Sequence, residues 1–74
     1  MAPNKSFGLK VAEARKLATP PLSQRELAKR LKDYGLTVTP AEVAEIEAGK
    51  RSLNYYQVTM LASVLNTTVN QLLS

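Results

Sequence analysis

The chain has 74 residues, with Lys+Arg 10 against Asp+Glu 6 and no Cys, His or Trp. That length allows one small domain near the lower limit for a self-sufficient core. Neither a disulfide nor a Cys/His metal site is available to hold it, and catalysis by His or Cys is excluded. The longest apolar runs fall far short of a membrane span. The start, MAPNKSFGLK, has no hydrophobic signal-peptide stretch. The expectation is a soluble, cytoplasmic protein with no membrane partner. An apolar share of 45% argues against wholesale disorder, and a net charge of +4 suits a polyanionic partner.

Residues 1–5 are expected to fray, and 6–74 to form a single domain. The first helix is expected over roughly 6–18, where Phe7, Val11, Ala14 and Ala18 repeat with helical spacing until Pro20-Pro21 stops it. Ser23-Gln24-Arg25-Glu26 is a capping box, with Leu22 and Leu27 as its hydrophobic staple. It opens a second helix over roughly 24–34, with a stripe of Leu27, Ala28, Leu31 and Tyr34 and a left-handed stop at Gly35. Thr39-Pro40-Ala41-Glu42 repeats the design for a helix over roughly 40–48, with Pro40 at the first helical position. Val38 and Val43 are its staple, Val43 and Ile46 its inward pair, and Gly49 its stop.

Asn54-Tyr55-Tyr56-Gln57 is a third box, stapled by Leu53 and Val58. It opens a helix over roughly 55–65 with Val58, Leu61, Ala62 and Leu65 inward and Asn66 as stop. Tyr55 and Tyr56 do not both face inward easily, so one of them is expected to be exposed. Thr68-Val69-Asn70-Gln71 is a fourth box, without a staple, for a last helix over roughly 69–73 closed by Val69, Leu72 and Leu73. Four capped starts and no strand-like alternation predict an all-α, compact five-helix domain.

The charge is ordered along the chain. Residues 1–35 are strongly basic, Glu42, Glu45 and Glu47 make the middle acidic, and residues 54–74 carry no charge. Helices two and three are short, capped and surrounded by others, which is the outline of a helix-turn-helix. Leu22-Ser23-Gln24-x-x-Leu27-Ala28, then Val43-x-x-Ile46-Glu47-x-Gly49-Lys50-Arg51, then Leu61-Ala62-x-x-Leu65-x-x-x-x-x-x-Leu72-Leu73 resembles the phage-repressor (Cro/XRE) helix-turn-helix family from about Phe7 to Leu73. The resemblance implies a lambda-repressor-like domain that binds double-stranded DNA, often as a two-fold homodimer. No cofactor, metal or small-molecule ligand goes with it.

Carried over position by position, the base-reading candidates are Thr39, Pro40, Ala41, Glu42, Ala44 and Glu45. Ala41 or Ala44 can pack on a thymine methyl, and a carboxylate can accept only from cytosine N4. The phosphate candidates are Ser23, Gln24, Arg25, Lys50, Arg51, Asn54 and Tyr56. Gln24 stands at a helix N-terminus, where amides and dipole favour an anion. Family members commonly hold an Arg–Glu ion pair at the positions of Arg15 and Glu47. The dimer candidates are Tyr55, Val69, Leu72 and Leu73.

Two features depart from the family pattern. The turn between helices two and three is lengthened around Lys32-Asp33-Tyr34-Gly35-Leu36-Thr37, as is the Thr19-Pro20-Pro21 connection. The recognition helix also carries three acids and no base, Glu42, Glu45 and Glu47. An alternative reading is therefore a protein–protein interaction module on the same fold, with weak or no DNA binding. An enzyme is not expected: no nucleophile or phosphate loop accompanies Glu42 and Glu45, and so short a chain offers little room for a closed pocket.

Overall fold

A computed structural model describes residues 5–74 and contains five helices: α1 (Lys5–Leu17), α2 (Gln24–Asp33), α3 (Pro40–Glu47), α4 (Tyr55–Val64) and α5 (Val69–Leu73). No strand occurs among the described residues. Of the segment expected to fray, Lys5 is the first residue of α1 and residues 1–4 lie outside the described ones.

The starts of α2, α3, α4 and α5 are fixed by short-range chemistry. The Ser23 hydroxyl accepts from the Glu26 amide at 3.0 Å, while the Glu26 carboxylate accepts from the Ser23 amide at 3.2 Å. Thr39 with Glu42 and Asn54 with Gln57 make the same reciprocal pairs. Two amides that a helix start leaves without partners are thereby satisfied at each of these three starts. The fourth box is only half formed. Thr68 accepts from the Gln71 amide, but the Gln71 side chain turns to the hydroxyl of Thr67 instead of the cap backbone.

The stops share one geometry. Gly35, Gly49 and Asn66 have φ of 98°, 74° and 54°. The next amides, of Leu36, Lys50 and Thr67, donate back to the carbonyls of Leu31, Glu45 and Ala62, each at 2.9 Å. This is the Schellman closure, and it reverses the chain sharply after α2, α3 and α4.

α1 packs on α3 and α5, α2 on α3 and α4, and α4 on α5. Phe7, Val11, Leu27, Leu31, Val43, Ile46, Val58, Leu61 and Leu72 are buried in one cluster, joined by the staple residues Leu22 and Leu53. The lengthened turn is anchored in the same core by Leu36, with Val38 packed against it.

Three apolar assignments change. Tyr34 is 52% exposed, because α2 ends at Asp33 and Tyr34 is its C-cap; the core stripe stops at Leu31 and Leu36 replaces Tyr34. Tyr55 and Tyr56 are both exposed, since the first turn of α4 stands clear of its neighbours. Leu73 lies outside the core, at 42% exposed.

One contact has no counterpart in the apolar pattern. A Cβ on Gly8 would lie against the carbonyl oxygen of Glu47, 2.6 Å from that of Ile46 and 2.7 Å from the Glu47 carbonyl carbon. At this point α1 rests directly on the C-terminal backbone of α3, a distance only glycine permits.

Candidate functional site

The helix after the lengthened turn presents one face outward. Val43 and Ile46 point into the core, while Thr39, Pro40, Ala41, Glu45 and Ala48 are exposed and Glu42 and Ala44 are half-buried. The rest of the fold does not cover the outer side. Two groups of polar contacts set how this helix sits.

The first group lies beneath its C-terminal end. Arg15 Nε donates to Glu47 Oε2 at 2.7 Å and Arg15 Nη2 donates to Glu47 Oε1 at 3.0 Å, a two-pronged pair. Arg15 Nη1 donates to the Leu22 carbonyl at 2.9 Å, and Gln24 Nε2 donates to Glu47 Oε1 at 3.0 Å. The side chains of Arg15 and Glu47 are only 12% and 9% exposed. The Glu47 carboxylate thus ties α1 and α2 to the end of α3, and the Arg15 guanidinium adds the loop before α2. The hydrogen bond to Glu47 holds the Arg15 guanidinium above its ordinary value, against the opposing effect of burial.

The second group lies over the outer edge. The Schellman closure at Gly49 folds the following loop back, and Arg51 reaches the half-buried Glu42 and the exposed Glu45 of α3. Its Nη2 is 2.9 Å from Glu42 Oε2 and its Nη1 is 3.3 Å from Glu45 Oε1. The backbone hydrogen bond from Thr39 holds the Glu42 carboxyl below its usual range, and Arg51 adds to that.

These contacts change what several candidate residues offer. The Thr39 hydroxyl and one Glu42 oxygen are engaged in the cap. Ser23 and Asn54 are exposed N-caps whose side-chain oxygens take helix amides. Gln24 stands at the first position of α2 with its side-chain amide committed to Glu47. Arg25, Lys50 and Tyr56 are exposed. Arg25, Lys29 and Lys32 line one face of α2 at i, i+4 and i+7, all exposed.

Of the dimer candidates, Tyr55 and Leu73 are exposed and Val69 is half-buried. Leu72 is 2% exposed and anchors α5 in the core.

Sequence reasoning did not find three of these contacts: Gln24 on Glu47, Arg15 on the Leu22 carbonyl, and Arg51 on Glu42 and Glu45. The last had a local signal, since a C′ glycine followed by a Schellman bond returns the chain towards its own helix. An open cleft of about 490 Å³ lies between the end of α1 and the turn after α4, lined among others by Leu17, Pro20, Arg30, Val64 and Thr67; no candidate residue takes part in it. Among the described residues no group of three His, Cys, Asp or Glu side chains is placed to hold a metal, and no helix is long and apolar enough to cross a membrane.

A family model described as helix-turn-helix matches residues 22–72, from the end of the first loop to the last helix. No curated protein and no solved structure matches the chain.

Proposed function

Because the chain belongs to the Cro/XRE-type helix-turn-helix family, whose members are in general DNA-binding transcription regulators, we propose that it reads double-stranded DNA by laying α3 in the major groove. The observation that carries this reading is the uncovered outer face of α3 inside a segment that matches the family over its whole motif. Direct readout falls to the exposed Ala41 and Glu45, with Ala44 beside them: the alanines suit thymine methyls, and Glu45 suits cytosine N4.

Phosphate contacts flank the helix on two sides. The first-turn amides of α2 at Gln24 and Arg25 face an anion as a helix N-terminus does. Lys50, with Asn54 and Tyr56, supplies the other side, while Arg51 is engaged by Glu42 and Glu45. The basic stripe of Arg25, Lys29 and Lys32 attracts the duplex before docking. A homodimer through Tyr55, Leu73 and the edge of Val69 would set two recognition helices about 34 Å apart on a pseudo-palindromic site. The protein would then act as a repressor by occupying that site.

The test is binding to random-sequence duplex over a salt series, followed by selection from a random pool. A steep loss of affinity with salt and an enriched two-fold site support the proposal. No binding at low salt refutes it and leaves the protein-interaction reading, for which the acidic edge of α3 would be the docking surface.

A further inference from the structure

An acidic helix is a poor guest for a groove bordered by phosphates, and the fold deals with each of its three carboxylates differently. Glu47 is withdrawn into the network with Arg15 and Gln24. Glu42 closes the cap of α3. Glu45 is the remaining acid, its side chain 53% exposed on the outer face. Arg51 spans the last two, with one guanidinium nitrogen on each.

We propose that Arg51 is a specificity-determining residue: its fork holds Glu45 in place as an acceptor for one cytosine N4 and offsets the charge that phosphates would repel. This rests on the DNA-binding reading above and goes beyond it, because a residue in a loop after the recognition helix is ordinarily a phosphate anchor with no say in sequence. The planar guanidinium supplies what the role needs. Two nitrogens on one rigid plane reach Glu42 and Glu45 together, and Glu42 is itself pinned by the Thr39 amide at 2.8 Å. Glu45 is thus referenced, through Arg51, to the capped start of its own helix. A lysine carries the same charge but is a single point, and cannot hold both carboxylates in one geometry.

The experiment uses the full chain and compares wild type, Arg51→Lys, Glu45→Gln and the double variant in selection from a random duplex pool, with affinity and salt slope measured on random duplex. Arg51→Lys is expected to keep random-duplex affinity within about twofold and the salt slope unchanged. It should lower the preference for one cytosine by about tenfold, the scale of a single good base contact. Glu45→Gln should lose preference at the same base pair, and adding Arg51→Lys should change that profile no further. Melting temperatures of all four are expected to agree closely, since the residues are exposed. An Arg51→Lys profile identical to wild type overturns the proposal while leaving the DNA-binding reading intact. Equal loss at every base pair does the same and marks Arg51 as a phosphate anchor only. Absence of wild-type duplex binding overturns both.

Discussion

Gly8→Ala is the sharpest test of how α3 is held. In an open helical position the change stabilises by about 1 kcal/mol, because alanine gives up less backbone freedom on folding. At Gly8 the added methyl group would sit 2.6 Å from the Ile46 carbonyl oxygen and 2.7 Å from the Glu47 carbonyl carbon. Restoring an ordinary contact near 3.5 Å requires α1 and the end of α3 to separate by about 0.8 Å or more. The obstacle is backbone at a Schellman closure, so no side-chain rotation relieves it. Overpacking of this kind costs about 1–3 kcal/mol, and rigid backbone as the obstacle puts Gly8 at the upper end, about 2–3, which outweighs the propensity gain. The expected net effect is a loss of about 1–2 kcal/mol, or roughly 5–15 °C in the midpoint for a domain this small. Thermal unfolding followed by far-ultraviolet circular dichroism measures it. A Gly8→Ala melting temperature equal to or above wild type would show that the two helices do not meet as described.

Glu47→Gln leaves the Arg15 charge largely enclosed with a weaker acceptor, and is expected to cost about 2–3 kcal/mol, well above the 0–1 of a surface pair; chemical denaturation that finds less than about 0.5 would refute the linkage. Leu72→Ala should cost about 2–5 kcal/mol as a core truncation even in dilute monomer, whereas a dimer-surface role predicts a change only in the association constant, read by sedimentation. Gly35→Ala meets no neighbour, yet its φ of 98° makes it unfavourable by about 1–2 kcal/mol, so clash and backbone strain are separated by comparing it with Gly8→Ala. The Glu42 carboxyl is held low in the folded state. Its contribution is complete above the unfolded carboxylate range near 4.3 and is lost as pH falls through the lower folded value. Melting temperature should therefore drop on acidification below about pH 4.5, and Glu42→Gln should flatten part of that drop.

What the sequence made legible was what is encoded within four or five residues. The three complete capping boxes, their staples, Pro40 at the start of α3 and the left-handed stops at Gly35, Gly49 and Asn66 all act between near neighbours, so spacing alone reveals them. Tyr34 was misplaced because a periodic stripe does not announce that the helix has ended one residue earlier. Gly8 gave no local sign at all. It lies within a helix without positive φ, and its reason is a carbonyl thirty-eight positions away, Ile46. The contact of Gln24 with Glu47 spans 23 positions and that of Arg15 with Leu22 spans 7 across a loop, and polar side chains carry no periodicity by which to foresee them. The outward face of α3 was readable from Val43 and Ile46. Its electrostatics were not, because Arg51 changes the meaning of Glu42 and Glu45 only once the chain has turned back.

The two ion-pair groups on α3 differ in how they answer to salt, and that difference separates holding the helix from using it. Arg15 and Glu47 are nearly enclosed, so mobile ions screen them little, and the pose of α3 against α1 and α2 should persist at high ionic strength. Arg51 with Glu42 and Glu45 is exposed, at 40%, 31% and 53%, and contributes little to stability on its own. On the proposed reading, the same ions that loosen Arg51 from its carboxylates would also compete with Lys50, Arg25 and Lys29 for phosphate. A protein built this way is expected to unfold at nearly the same temperature across a salt series in which the proposed duplex affinity would collapse. The placement of α3 is therefore insulated from the conditions that would govern its proposed contact with DNA.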